Sequence, residues 1–491
     1  MAVEIELKLA LSPATARVFP EHPLLAGAAT TRQHLLNTYY DTPDLALKSQ
    51  RVALRLRKKG WQWLLTVKSA EPAAGGLARR NEWERPETPG NWDFSHVDAA
   101  DLRARLEAAT PLLEPIFTTD FRRRTWIVDH GASRIEIALD RGFIASQGRR
   151  TPICEVELEL LDGQPGDLFA LTRDLQATLA LRPSPASKAE RGYALFAAEP
   201  PRPFKARPQP LDRGQTPVQA FRSIALGCLE HLQRNETGAI ASTDPEYVHQ
   251  ARVALRRLRS AIKLFAPVLP PDFVHAYGQA WQSLAAALGA ARNWDVFVSE
   301  TLPPLQAAFP EDALGRRLLA AGRKRSREAH RTVSYLLQMP EYAGLLIAFT
   351  AALLLLPEAP EGTLEEFARA QLAARARRAR KLAARHATLD PAERDRLRIS
   401  CKKLRYALEF FATLLPARRA RPYLAALAQL QDELGLINDH VTAADLLADC
   451  LHGRPPGIIH GWIAGRHALL IAELPEALST WMAQPAPWKR S

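Results

Sequence analysis

Cysteine is scarce in this chain, with 4 among 491 residues: Cys154, Cys228, Cys401 and Cys450. They lie far apart and form neither CxxC nor a Cys/His ligand spacing. That excludes a disulfide framework and a structural zinc site, and leaves reduced thiols as in a cytoplasmic protein. Long apolar runs are also missing. The longest, residues 345–356, is interrupted by Thr350. A bilayer span needs about 20 apolar residues, so a buried helix and no membrane partner are expected. No secretory signal precedes the first strand, and no Walker-type glycine loop offers a phosphate cradle.

What is present is charge, unevenly placed. Net charge is +12. Residues 1–200 hold 26 Lys/Arg and 26 Asp/Glu, and residues 201–491 hold 39 and 27. The second half alone should therefore attract a polyanion. Aromatic side chains are sparse along its arginine stripes, which disfavours single-stranded nucleic acid as that polyanion. Six prolines in residues 200–217 mark a stiff linker. The expected domains are 1–199, a linker at 200–215 and a helical domain at 216–487.

The first half alternates. Glu4, Glu6 and Lys8 take every second position, with Ile5, Leu7 and Leu9 between them. A strand sends these two rows to opposite faces. The same rule places Arg55 with Arg57, Thr66 with Lys68, Glu82 with Glu84, and Glu136 with Asp140. It also places Glu155 with Glu157 and Glu159, and Arg122 with Arg124 and Trp126. A sheet with one wet face would carry such rows too. Two features favour a closed barrel with a charged lumen: acids and bases segregate by strand, and the opposite rows are apolar enough to be covered by helices. Clustered Arg and Lys suit phosphate oxygens. Several carboxylates suit a hard divalent cation, Mg²⁺ or Mn²⁺. Glu82 and Glu84 either take part in the chemistry or pair with the arginine rows and straighten them.

Residues 1 to about 200 resemble the CYTH family, the triphosphate tunnel metalloenzymes. The matching segments are Glu4-x-Glu6-x-Lys8, Tyr39-Tyr40-Asp41-Thr42, Arg55-x-Arg57, Glu155-x-Glu157-x-Glu159 and Ser187-Lys188. The resemblance implies an antiparallel barrel that acts on inorganic triphosphate with a divalent metal. Glu4, Glu6 and Glu157 would hold the metal. Lys8, Arg55, Arg57, Lys68, Arg122, Arg124 and Lys188 would grip the triphosphate. Glu155 and Glu159 would assist or orient water, with Glu159 or Glu136 as its base. Nucleotide enzymes of the same family, a cyclase or a thiamine triphosphatase, and a non-catalytic scaffold are the competing readings.

The second half repeats itself at an offset of 146 residues. Asp244-Pro245 recurs as Asp390-Pro391, Leu258-Arg259 as Leu404-Arg405, Phe221 as Phe367 and Phe265 as Phe411. Two related helical bundles are expected, at 216–361 and 362–487. The fold class is thus α+β, a barrel domain followed by an all-α domain. Helix starts are marked by capping boxes at Thr216 and Thr363 and by the two Asp-Pro pairs. His249, Arg252, Arg256, Arg259 and Lys263 share one helix face, and Arg398, Lys402 and Arg405 share the face of its copy. These are either solvated faces or one basic groove.

This half resembles the CHAD family, through the segment His249 to Ser260, the segment Leu288 to Asn293, and their copies. The resemblance implies binding of inorganic polyphosphate through the basic faces; the expected location is the cytoplasm, in association with polyphosphate granules. The second copy departs from the pattern, with Asp395 in place of His and Glu409 in place of Lys263.

Overall fold

The computed structural model describes residues 2–70, 77–184, 186–198, 200–310, 313–358, 362–451 and 457–489; the side chains of 2–4, 70 and 77–80 lie outside the description. The chain forms two compact units, Met1–Arg202 with Met339–Leu355, and Pro203–Gln338 with Leu356–Ser491.

The first unit is built on strands β1 Ala2–Ala10, β2 Ala29–Asp41, β3 Val52–Lys59, β4 Gln62–Ala70 and β5 Leu77–Pro86, then β6 Glu114–His130, β7 Ser133–Ser146, β8 Arg149–Asp162 and β9 Arg182–Pro183. They lie in the order β5-β4-β3-β2-β6-β7-β8-β1-β9, and β1 also pairs with β5. All pairings are antiparallel, so eight strands close into a barrel with β9 added beside β1. Its short helices are α1 Pro13–Val18, α2 Ala46–Ser49, α3 Ala100–Ala109, α4 Pro165–Gln176 and α5 Lys188–Ala197. The remaining helices are α6 Pro217–Ala241, α7 Pro245–Phe265, α8 Pro271–Ala280, α9 Gln282–Val296, α10 Leu302–Ala308 and α11 Ala313–Gln338. They continue as α12 Pro340–Leu354, α13 Leu364–Ala383, α14 Pro391–Phe410, α15 Ala417–Leu451 and α16 Gly457–Ala483.

Alternation dictates the layers of the barrel. The apolar rows face outward and are roofed by helices. Leu7, Leu9, Trp126, Ile135, Ile137, Val156 and Leu158 pack with Leu168 and Leu171 of α4. Leu54, Leu56, Leu65, Val67 and Trp83 pack with Leu102 and Leu106 of α3. Ile347 of α12 is fully buried in the first of these layers, with Ala351 and Leu354 against it. The apolar run at 345–356 therefore forms the buried helix expected of it. Its place is with the barrel unit, although the expected boundary of 216–361 puts it in the first helical repeat. No single described helix is long and apolar enough to cross a membrane.

In the second unit, the caps form as their sequences specify. Thr216 with Gln219, Thr363 with Glu366, and Asp390 with Glu393 make capping boxes, and Asp244 accepts from the Glu246 amide. The repeat is visible helix by helix: α6 and α7 correspond to α13 and α14, and α11 to α16. One unbroken α15 stands for α8, α9, the residues that follow α9 and the start of α10. Where the repeats meet, the four recurring phenylalanines gather. Phe265 lies 5.5 Å from Phe221, 5.0 Å from Phe367 and 5.7 Å from Phe411, centroid to centroid. Phe411→Leu should lower the unfolding free energy by roughly 1–2 kcal/mol, measured by denaturant titration, because it opens this shared core from one side only.

The proline-rich segment is anchored on the helical unit from Pro203 onward. Phe204 N donates to Asn235 Oδ1 at 3.0 Å, and Asn235 Nδ2 donates back to Phe204 O at 2.9 Å. Leu211 N donates to Thr413 Oγ1 at 3.1 Å. Prolines donate nothing, so the amides between them carry the attachment.

Candidate active site

The inward rows of the barrel are the charged ones. On one side, Asp140, Glu155 and Glu157 bring one carboxylate oxygen each to within 4.8 Å of one another. Strand register explains it: Asp140 stands opposite Glu155, and Lys8 opposite Glu157. Three buried carboxylates repel unless cations lie among them. Here Lys188 Nζ, from the start of α5, sits 2.6 Å from Asp140 Oδ2 and 3.0 Å from Glu157 Oε1, and also donates to Glu155. Arg123 grips both oxygens of Asp140 at 2.7 Å and reaches Glu157. Lys8 Nζ is 3.1 Å from Glu157 Oε1 and 3.6 Å from Glu6 Oε1. Burial would raise the Glu157 pKa, but Lys188, Lys8 and Arg123 outweigh it and hold the carboxyl well below the usual range. Burial likewise opposes the Lys188 charge, and Asp140, Glu155 and Glu157 overcome it, leaving an ammonium harder to deprotonate than usual.

The facing wall is cationic. Lys68 Nζ lies 2.7 Å and Arg55 Nη2 3.3 Å from Glu82, and Arg57 Nη1 lies 3.9 Å from Glu84. Glu82 and Glu84 thus pair with the cation row, the second of the two uses open to them in the sequence. Burial works against the Glu82 charge, but Lys68 and Arg55 bring its pKa down to about 2. Arg57 donates to Asn37 Oδ1 at 2.9 Å. Burial and the neighbouring Arg55 and Arg123 lower its pKa to about 10. Three cations, Arg55, Arg57 and Lys68, thus share two carboxylates, Glu82 and Glu84, which leaves this wall with net positive charge for a bound anion.

One end of the interior is apolar and stoppered by α5. Phe117, Phe121, Ile144 and Ile153 pack with Tyr193, whose hydroxyl donates to Asp41 Oδ2 at 2.9 Å. Gly192 makes the seating possible, since a Cβ there would stand 2.1 Å from the Phe117 ring. A capping box from Ser187 to Glu190 starts α5 and so fixes where Lys188 points.

Glu6, Lys8, Arg55, Arg57, Lys68, Glu155, Glu157 and Lys188 all reach this interior. Glu159 and Glu136 stand opposite one another in the β7–β8 register, half buried. Glu4 lies on β1 by its backbone, but its side chain is outside the described residues. The assignment of Arg122 and Arg124 is corrected. Arg122 is exposed, and Arg124 stacks 4.7 Å above Trp126, which belongs to the outer apolar layer. Their row faces outward, and Arg123 takes the inner position. Trp126 was the available signal: an apolar ring marks the covered face, and Arg122 and Arg124 share its parity. Asp140 was likewise visible only as a neighbour of Glu136. The donor set is purely carboxylate oxygen, which fits a hard divalent cation.

In the helical unit, the two basic stripes face each other. Arg252 feels Arg256, Arg292 and Arg398, and Lys402 feels Arg398, Arg256 and Arg252. Burial first, then these neighbours, lowers Arg252 to about 10 and Lys402 to about 7. His249 Nδ1, Arg256 Nε and Arg259 Nε are buried without a hydrogen-bond partner among the described residues. Not every predicted cation joins the groove. Arg405 donates to Glu409 at 2.8 Å and to Gln431 at 3.0 Å, so protein partners neutralise it. Arg398 is bonded to Asp395 at 2.6 Å. Lys263 instead lies with Lys403, Arg375 and Arg378 in a second basic cluster. Arg292, Lys403, Arg375 and Arg378 are additions from the structure, brought in by helix packing rather than by one-helix spacing.

A CYTH domain model matches residues 2–193, and a CHAD domain model matches residues 223–448. The inorganic triphosphatase of Haemophilus influenzae is 39% identical over 201 residues, which is 40% of this chain. The match spans 55% of that relative, so the chain covers about half the length of this curated protein. The crystal structure of the CHAD domain from the plant Ricinus communis is 35% identical, with 58% of this chain and 98% of that chain covered at a TM-score of 0.48. A structure of HpAC1 from Hippeastrum, described as revealing a dominant triphosphatase activity, is 20% identical, with 40% and 95% covered at a TM-score of 0.30. The chain is a CYTH domain followed by a CHAD domain.

Proposed function

We propose that the barrel hydrolyses inorganic triphosphate with Mg²⁺ or Mn²⁺, and that the helical unit binds inorganic polyphosphate. The observation that carries the first half is the pair of facing walls, one of Arg and Lys and one of carboxylates, inside one barrel. A triphosphate between them meets Arg55, Arg57, Lys68 and Arg123 on its oxygens. Glu6, Glu157 and Asp140, with Glu155 beside them, would hold the metal. When bound, it supplies positive charge to the phosphoryl group being transferred. The protein's own share is positioning and charge neutralisation, the larger part of phosphoryl-transfer catalysis. Lys188 would exchange carboxylate oxygens for phosphate oxygens, and Lys8 would do the same from β1. Glu159 or Glu136, which face each other in the β7–β8 register one pair beyond Glu157, would take the proton of the attacking water.

Polyphosphate binding is supported by the buried, unpartnered donors of the groove and by the lowered Lys402 pKa, which marks crowded cations awaiting an anion. We place the protein in the cytoplasm, where its four free cysteines would stay reduced.

The decisive experiment is phosphate release by the full chain from tripolyphosphate, ATP and thiamine triphosphate, each titrated with Mg²⁺ and Mn²⁺. Tripolyphosphate should be cleaved fastest, and only with metal. No release from any of the three would sink the enzymatic reading and leave a binding scaffold. Faster turnover of ATP or thiamine triphosphate would move the barrel to a nucleotide or thiamine enzyme.

A further inference from the structure

The helical unit contains a cleft of about 590 Å³, walled by the end of α6, by the segment after α9 and by α11. This volume lies within the usual range for small-molecule sites, about 300–1,000 Å³. Its floor is Asp295, 6% exposed. Asp295 accepts from Ser326 Oγ at 2.9 Å and from His330 Nε2 at 2.9 and 3.0 Å. Every hydrogen bond of the His330 ring among the described residues runs through Nε2. A carboxylate there fixes the proton on Nε2, so Nδ1 is left as an acceptor for a ligand hydroxyl or N–H.

Two residues beyond Asp295 the chain makes a π-helical turn, Phe297–Thr301. Such turns are rare and recur at functional sites. This one turns Val298 and Ser299 into the cleft. The α11 wall is graded along its length. Arg327 and Arg331 flank His330, and neither has an ion-pair partner among the described residues. Tyr335, a residue 61% exposed, lies eight residues beyond Arg327, about 12 Å along the helix, and lines the cleft with Ile240. One end of the cleft is therefore cationic and the other aromatic, with serine hydroxyls between.

We propose that this cleft binds a mononucleotide. The phosphate would lie on Arg327 and Arg331, the base on Tyr335 and Ile240, and His330 Nδ1 would accept from a sugar hydroxyl. The sugar hydroxyls would meet Ser299 and Ser334. A single phosphate with a ring one to two helical turns away, about 6–12 Å along α11, matches the graded wall. An inorganic chain would leave the aromatic end empty.

The test is calorimetric titration of the full chain with AMP, adenosine and inorganic phosphate. AMP should bind at one site, with adenosine and phosphate each at least about tenfold weaker. The Arg327→Ala/Arg331→Ala protein should lose at least about tenfold in AMP affinity, while tripolyphosphate hydrolysis is unchanged. Tyr335→Ala should weaken AMP and leave phosphate alone. Arg57→Ala, in the barrel, should leave AMP binding intact. The proposal is overturned if AMP shows no binding, or if phosphate binds as tightly as AMP. It is equally overturned if AMP binding is lost in Arg57→Ala and kept in the double variant.

Discussion

Arg123→Ala is expected to lower tripolyphosphate hydrolysis by about 10²–10³-fold, while Arg124→Ala leaves it essentially unchanged. The two residues are neighbours of identical chemistry, and only their facing differs. Arg123 lies inside the barrel with 17% of its side chain exposed, bonded to Asp140 and Glu157. Arg124 lies outside, over Trp126. Removing Arg123 takes a cation from the phosphate path and leaves Asp140 and Glu157 with one counter-ion fewer. Breaking a buried charge pair from one side costs about 3 kcal/mol or more, so the unfolding midpoint should fall too. Arg123→Lys separates the two effects. It restores a charge without the bidentate fork, so stability should recover further than turnover. Equal activity in the two alanine variants would show that the triphosphate does not pass Arg123.

Polyphosphate affinity is expected to fall as pH rises above 7, by up to about tenfold per pH unit, with Lys402 as the cause. Its pKa in the free protein is about 7, set by burial and by Arg398, Arg256 and Arg252. A bound polyanion neutralises those arginines and raises the pKa toward the ordinary 10.5. Between the two values, binding must therefore take up a proton. Calorimetry in buffers of different ionisation enthalpy reads that uptake directly. Lys402→Met should abolish it and flatten the pH profile. The sign for folding follows from the same two values. The unfolded chain keeps the lysine proton up to its ordinary pKa, while the folded chain releases it near 7. This group therefore disfavours the folded state progressively as pH falls from 10.5 toward 7, and polyphosphate should relieve that penalty most at or below pH 7. A pH-independent affinity would remove Lys402 from the site.

Much of this molecule was legible in its sequence because two of its rules are short-ranged. Strand alternation assigns Glu6, Lys8, Arg55, Arg57, Glu155 and Glu157 to one face with no knowledge of the fold. The constant offset of 146 pairs Phe221 with Phe367 and Phe265 with Phe411 before any helix is seen. The failures come where a local rule is silent. In Arg122-Arg123-Arg124 every parity is basic, so charge cannot say which residue faces inward. The outer-layer position of Trp126 decides it. Arg405 has the right spacing for the groove, but Glu409 and Gln431 occupy it. Arg292 and Lys403 enter through the packing of separate helices. The π-helical turn after Asp295 has no spacing signal at all, because one residue of slack is invisible to a periodicity of 3.6.

The helix α12 has a practical corollary. Because Ile347 belongs to the apolar layer over the barrel, the polypeptide passes from one unit to the other three times, near residues 202, 338 and 355. A fragment ending at Arg202 would retain every strand and lose part of its roof. Such a truncated barrel should be prone to aggregation, and supplying residues 339–355 as a separate peptide should restore its solubility. The two units are interleaved in sequence, so neither can be deleted or exchanged as a simple terminal cassette.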